Sequence, residues 1–348
     1  MSKVHPVILM LNDIHISKDN IPDFSANWNE ALTVCNELSI TDIAFGGDLF
    51  LSRSAQTLDV LLAVHDALLT AGKRGINVTL INGNHDKVNQ EAIRGYCHIF
   101  DQHDNVFVVD DYYTLILSDE WKFVLHLIPY FPENGSFIDK LTALVENGLD
   151  KERANFLYIH EGINGALSQS SDKELAPNIF NDFDKVFVGH YHNRCSVSSQ
   201  IEYIGSSRQN NFGEDEAKGY TVIYTDGSTA FIQNQTNIRY KVMDVPVEKV
   251  NINLADELEE IKADGRYRVK VRVHSTSTQT TGIDKESLLN AGANKVEIIT
   301  EDVEASDIQA TSLTDKLDGR KIKDNYQQFC HEKGINYVLG LSYLDKIE

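Results

Sequence analysis

Residues 76–86 read INVTLINGNHD: a short apolar run, a turn-forming pair, and then Asn84, His85 and Asp86 in succession. A run of this length bounded by Gly and Asn suits a buried strand, and the polar triplet then sits just past its carboxyl end. The same arrangement recurs along the chain. VILMLNDIH (7–15) places Asp13 and His15 after a strand, and IAFGGD (43–48) places Asp48 after another. FLYIH (156–160) ends in His160, and VFVGHYH (186–192) ends in His190 and His192. In an α/β sheet, polar side chains beyond the carboxyl ends of the strands converge on one crevice. Five strand ends therefore direct imidazoles, carboxylates and an amide to one place.

The segments between these strands have helical spacing. Trp28, Ala31, Leu32, Cys35 and Leu38 share a face over 26–38, and a leucine and valine stripe runs over 54–71, closed by Gly72 and Gly75. A third helix is predicted over 89–100. Strands then dominate at 105–109, 113–117 and 121–128, with a helix at 136–148. Residues 202–204, 220–225 and 230–233 read as a closing antiparallel meander. The main domain is expected over 1–246 and a small α/β domain over 247–300, with a strand at 267–274, a helix at 284–291 and a strand at 295–300. A polar linker and two amphipathic helical patterns fill 301–348, carried by Ile322, Tyr326, Phe329 and Cys330 and then by Tyr337, Leu341, Tyr343, Leu344 and Ile347.

The 348 residues carry 32 basic and 52 acidic side chains, a net charge of −20. That balance argues against a chain that grips duplex DNA alone, because such proteins present a basic face. At 42% hydrophobic residues the chain can build packed cores. Cys35, Cys97, Cys195 and Cys330 form no C-x-x-C pair, which suits reduced thiols and a cytoplasmic setting. No apolar run approaches the ~20 residues of a membrane span.

Seven candidate ligands, Asp13, His15, Asp48, Asn84, His160, His190 and His192, are too many for one divalent ion. Mixed oxygen and nitrogen donors suit manganese, iron or zinc, and a two-ion site with one bridging carboxylate fits the count. Gly46, Gly47, Gly83 and Gly189 stand at the strand ends beside ligands, where the backbone turns sharply or is closely approached. His5, His65, His98, His103, His126, His274 and His331 lack such a polar cluster and read as ordinary surface or core histidines.

The ordered set D-x-H, G-G-D, G-N-H-D, H and G-H-x-H resembles the calcineurin-like metallophosphoesterases. The resemblance implies a two-sheet α/β sandwich flanked by helices. It implies that Asp13, His15, Asp48 and His192 hold one ion, that Asp48, Asn84, His160 and His190 hold the other, and that Asp48 bridges them. His85 would assist the leaving oxygen as a catalytic group, oriented by Asp86. Manganese is the expected metal, with magnesium, iron or zinc as alternatives.

The segment YIGSSRQNNFGEDEAKGY (203–220) and the layout of the last hundred residues resemble DNA-repair nucleases of the SbcD type and their phage relatives. That resemblance implies a small capping domain and C-terminal ATPase-binding helices. It also implies exonuclease and endonuclease activity in DNA repair or recombination, in the cytoplasm of a bacterial or phage-infected cell. The expected partners are DNA, an SbcC-type SMC-like ATPase, and a second copy within a heterotetramer. Archaeal and eukaryotic relatives carry a histidine where this chain has Leu51. The alternative reading is a small-molecule phosphoesterase, acting on cyclic nucleotides or phosphomonoesters.

Overall fold

The computed structural model describes residues 3–300 apart from 134, 168–170, 172, 251 and 277–282, together with Tyr326 and Cys330. The chain divides into two compact units, 1–299 and 300–348. The helices expected over 301–348 lie outside the described residues, except that Tyr326 and Cys330 are both helical.

Strands and helices alternate through the first third: β1 Pro6–Leu11, α1 Ile21–Leu38, β2 Asp42–Gly46, α2 Leu58–Lys73, β3 Asn77–Ile81 and β4 Val106–Val109. Then come β5 Tyr113–Leu115, β6 Phe123–Ile128, α3 Phe137–Asn147, β7 Ala154–His160, β8 Lys185–Gly189, β9 Cys195–Ser196 and β10 Ile201–Tyr203. β11 Gly219–Tyr224, β12 Thr229–Gln233, β13 Arg239–Pro246, α4 Ile252–Asp264, β14 Tyr267–Ser275, α5 Lys285–Ala291 and β15 Lys295–Thr300 complete the described elements. One six-stranded sheet runs β12-β11-β1-β2-β3-β4 and a second runs β5-β6-β7-β8-β10-β9. The fold is therefore the expected α/β sandwich of two sheets flanked by helices.

Alternate side chains on β1 explain the sandwich. Ile8 and Met10 join Phe123, Leu125, Phe156, Tyr158 and Phe187 between the sheets. Leu9 and Leu11 face the other way, toward Phe24, Trp28, Leu32, Val64 and Leu68 of α1 and α2. A strand buried on both faces reads as one continuous apolar run. Each such aliphatic side chain contributes roughly 1.5–3 kcal/mol by leaving water. The helices show only one apolar face: α1 buries Phe24, Trp28, Ala31, Leu32 and Cys35. It ends at Ser39, whose backbone is left-handed at φ 58°. α3 covers the second sheet with Phe137, Leu141 and Leu144.

Three expectations are corrected. Residues 89–100 are turns followed by a short 3-10 helix, Tyr96–Phe100, rather than an α-helix. The Tyr96 N–H donates to the Asp86 carbonyl at 2.7 Å, and a Cβ at Gly95 would come within 2.7 Å of that same oxygen. The chain is thus drawn onto the loop after β3, and a continuous α-helix over 89–100 does not form. The closing meander is also divided, because β10 pairs parallel with β8 in the second sheet while β11 and β12 extend the first. Finally, β13 and α4 were not anticipated. β13 pairs parallel with β14 along all eight of its residues, so the small third sheet begins at Arg239, before residue 246. α4 is strongly charged, which obscures its buried Leu254 and Leu258 in sequence.

Candidate metal centre

The strand ends converge as the motif positions require, and the backbone there is held in unusual conformations. Asp13, His15, Asp48 and His190 have φ of 54°, 52°, 54° and 93°. Such left-handed backbone costs a side-chain-bearing residue on the order of 1–3 kcal/mol and persists only where the surroundings impose it. Here neighbouring strand ends impose it. The Asp13 N–H donates to Gly47 O at 3.0 Å and the His15 N–H to Asp48 O at 3.1 Å. The His190 N–H donates to Asp13 Oδ2 at 3.1 Å. A Cβ on Gly47 would come within 2.7 Å of His160 Nδ1, and one on Gly189 within 2.8 Å of Gly46 O. The absent side chains are what lets five strand ends approach.

The ligand-type atoms gather in three overlapping groups, each with its members within 4.8 Å of one another: Asp13, His15 and His192; Asp48, His160 and His190; and His15, Asp48 and His85. Asp48 Oδ2 lies 3.6 Å from His15 Nε2 and 3.3 Å from His160 Nε2. Asp13 Oδ1 lies 3.9 Å from Nε2 of His15, His160 and His192 alike. That oxygen is fully buried and accepts no hydrogen bond from the described residues. A buried carboxylate oxygen without a donor is costly unless a cation faces it.

The Asn84 amide makes the same point. Its oxygen faces His160 Nε2 at 3.1 Å and His190 Nδ1 at 3.2 Å, while its nitrogen abuts the Arg53 guanidinium. Turned over, the amide would donate to the Asp48 carboxylate and accept from Arg53. Oxygen inward is the orientation a cation needs, since it lines up lone pairs from the amide, both imidazoles and Asp48. The donor set, all oxygen and imidazole nitrogen, fits divalent manganese, iron or zinc.

The rear nitrogens of two imidazoles are fixed by partners. His160 Nδ1 lies 2.8 Å from Gly46 O and His192 Nδ1 lies 2.7 Å from Glu214 Oε1. A ring that donates its Nδ1–H to an acceptor presents Nε2 as a lone pair. Burial pulls His15 and His190 down to about 3, so both are neutral donors. Burial also opposes charge on His160, but the adjacent Asp48 and Asp13 carboxylates outweigh it and hold that ring up at about 10. His192 is raised in the same way, chiefly by its bond to Glu214 against the effect of burial.

His85 and Asp86 are placed differently from expectation. The His85 ring packs edge-on to His15 at 4.8 Å between centroids, and its Nδ1 lies 2.7 Å from Leu51 O. The Asp86 carboxylate instead accepts from the backbone N–H groups of Gly83 at 2.8 Å and Phe50 at 2.9 Å. Burial and the nearby Asp48 push it up to about 7. Asp86 ties the loop after β3 to the loop after β2, and the Leu51 carbonyl is the group that orients His85.

The 203–220 segment acts as a clamp whose individual contacts no motif revealed. Arg208 Nε donates to Ile14 O at 2.9 Å and Asn210 Nδ2 to Asp13 O at 3.0 Å. Lys218 Nζ donates to His192 O at 2.6 Å. Glu214, from the F-G-E turn, braces His192 directly. Of the histidines set aside, His126 is a satisfied core residue, bonded to Thr114 Oγ1 at 2.8 Å and Asn155 Oδ1 at 2.9 Å. A crevice of about 350 Å³ opens over the cluster, lined also by Arg53, Leu51 and Arg208.

No protein-family profile matches the chain. Over 268 residues it is 25% identical to the phosphoesterase-type protein 244L of Invertebrate iridescent virus 6, covering 72% of this chain and 86% of that protein. It is 24% identical to the SbcD component of nuclease SbcCD from Staphylococcus saprophyticus, covering 48% of each chain. It is 25% identical to the phosphoesterase-type protein 078R of Invertebrate iridescent virus 3, covering 60% of this chain and 59% of that one. The chain thus spans about half the length of the SbcD protein it matches. Among solved structures, a dimetal phosphatase from Danio rerio matches with a TM-score of 0.40 and 11% identity, over 64% of this chain and 93% of that one. Pseudomonas putida nuclease MPE matches with a TM-score of 0.29 and 16% identity, over 62% of this chain and 82% of that one.

Proposed function

We propose that this chain, similar in sequence to phosphoesterases and to a nuclease component, is a DNA nuclease that hydrolyses phosphodiesters with two divalent ions. The similarities support a place in the calcineurin-like metallophosphoesterase superfamily, and the chain is a metal-dependent hydrolase of ester bonds. The observation that carries the reading is the gathering of ligand atoms at Asp48, which belongs to one group with His160 and His190 and to another with His15 and His85, beside a third group of Asp13, His15 and His192. Asp13, His15 and His192 would hold one ion, Asn84, His160 and His190 the other, and Asp48 both. Bound ions of this kind activate water and neutralise charge on the phosphate. His85, at the edge of the crevice, would hydrogen-bond the leaving oxygen as a general acid. Asp86 would keep the two loops in register.

The similarity to SbcD supports a DNA substrate and an SbcC-type ATPase partner, and in the same reading the chain cuts DNA with manganese in repair or recombination, in the cytoplasm, beside a second copy of itself. In that reading the small third-sheet domain caps the crevice and residues 301–348 bind the ATPase. The net charge of −20 supports a partner that supplies most of the grip on DNA. Among the described residues no helix is long and apolar enough to cross a membrane.

A second reading is a small-molecule phosphoesterase, with which the match to the viral phosphoesterase-type 244L protein is equally compatible. The test is to incubate the full chain with labelled linear duplex and hairpin DNA and Mn²⁺ or Mg²⁺, beside an Asp48→Ala variant. Metal-dependent cutting that the variant loses is expected. Intact DNA together with rapid turnover of p-nitrophenyl phosphate would replace the nuclease reading with the second one.

A further inference from the structure

A second cavity adjoins the crevice. It has a volume of about 440 Å³ and shares His190, His192 and Asn211 with the first, then continues past Ala166, Leu167, Tyr191 and Cys195. The two cavities thus meet at His190 and His192, just past the end of β8. Both are of the size of small-molecule sites.

Their chemistry differs. The first is lined by Arg53 and Arg208 beside the ligand cluster, which suits an anion. Among the described residues, no lysine or arginine lines the second. The carboxylate that does line it, Glu214, is already engaged by His192, Asn210 and Asn211. Its aromatic wall is rigid: the Tyr191 hydroxyl donates to Glu174, and the ring packs 4.9 Å from His190 and 5.0 Å from Tyr203 between centroids. An apolar wall comes from Leu167, whose side chain is left 52% exposed in a polar loop.

We propose that this second cavity is a subsite for the nucleobase flanking the scissile phosphate, sandwiched between Leu167 and the Tyr191 ring. The proposal rests on the phosphodiesterase reading and names what one side of the diester would meet. An uncharged planar group suits the lining, since every base has a π-face that stacks without sequence preference. A second phosphate would meet no lysine or arginine among the described lining residues.

The test compares Mn²⁺-loaded wild type with Leu167→Asp, a change at an exposed position. The readout is the ratio of kcat/KM for thymidine 5′-(p-nitrophenyl) phosphate to that for methyl p-nitrophenyl phosphate. The ratio is expected to fall roughly tenfold in the variant, the scale of one lost stacking contact. Binding of thymidine 5′-monophosphate, followed by calorimetry, is expected to weaken by a similar factor. If both diesters are hydrolysed and the ratio is unchanged, the subsite is refuted while the phosphodiesterase reading stands. If neither is hydrolysed but nucleotide binding still weakens in the variant, the subsite stands and the phosphodiesterase reading fails. Unchanged nucleotide binding without turnover refutes the subsite.

Discussion

Glu214 Oε1 lies 2.7 Å from Nδ1 of His192, so a carboxylate from the segment after β10 fixes the ring that ends the G-H-x-H motif. The bond settles which nitrogen is protonated and leaves Nε2 directed at Asp13. Loss of such a partner typically weakens metal binding about 10–100-fold. Glu214→Ala should show that loss by calorimetric titration with Mn²⁺, with Glu214→Gln retaining part of the affinity. Unchanged affinity in both variants would refute the bracing role.

His85→Ala should keep the metals and lose turnover. The ring touches His15 and the Leu51 carbonyl, but the seven other ligand-type side chains remain. A lost general acid costs about 10²–10⁴-fold in rate. Metal content by elemental analysis and kcat on a nitrophenyl diester check the two halves, and loss of metal would make His85 a ligand instead.

Metal loading should release protons. His160 is held up at about 10 in the metal-free chain and His192 is raised, whereas His15 and His190 lie near 3 and carry none. A ligand must be deprotonated to bind. Loading at pH 7 should therefore release about one proton from His160 and a further fraction from His192. Apparent affinity should fall about tenfold per pH unit for each proton displaced as pH is lowered. Titrations in buffers of different ionisation heat measure this, and no buffer dependence would contradict the protonated His160.

Gly47→Ala should destabilise the fold. Its backbone is at φ 91°, and an added Cβ would meet His160 Nδ1 at 2.7 Å and Gly83 Cα at 2.8 Å. Overpacking of this kind costs about 1–3 kcal/mol, with the left-handed backbone adding to it. Urea unfolding measures the change. Gly75→Ala, also left-handed but with nothing within 4 Å of the added atom, separates backbone strain from crowding.

Arg53→Ala should raise KM for an anionic diester several-fold with a smaller effect on kcat. Arg53 is an exposed cation lining the crevice beside Asn84, and it reads in sequence as one more residue of a polar loop. Steady-state kinetics distinguish this from a larger loss in kcat, which would place the guanidinium on the transition state instead.

The sandwich and the roster of polar side chains at its edge were legible in the order of residues alone. A strand buried on both faces is apolar throughout, and polar side chains cluster where it stops, so β1, β2, β3, β7 and β8 mark Asp13, His15, Asp48, Asn84, His160, His190 and His192 as candidate ligands. The third-helix expectation at 89–100 failed because Asp86 O captures Tyr96, a contact between residues ten apart that no periodicity encodes. What each side chain touches follows from long-range packing. Asp86 turned from orienting His85 to tying two loops, because backbone N–H groups from both surround it. Glu214 became a brace because the F-G-E turn folds back across the sheet ends onto His192. The left-handed backbone at Asp13, His15, Asp48 and His190 follows the same logic. Local sequence disfavours it, and it exists because neighbouring strand ends supply the hydrogen bonds that hold it.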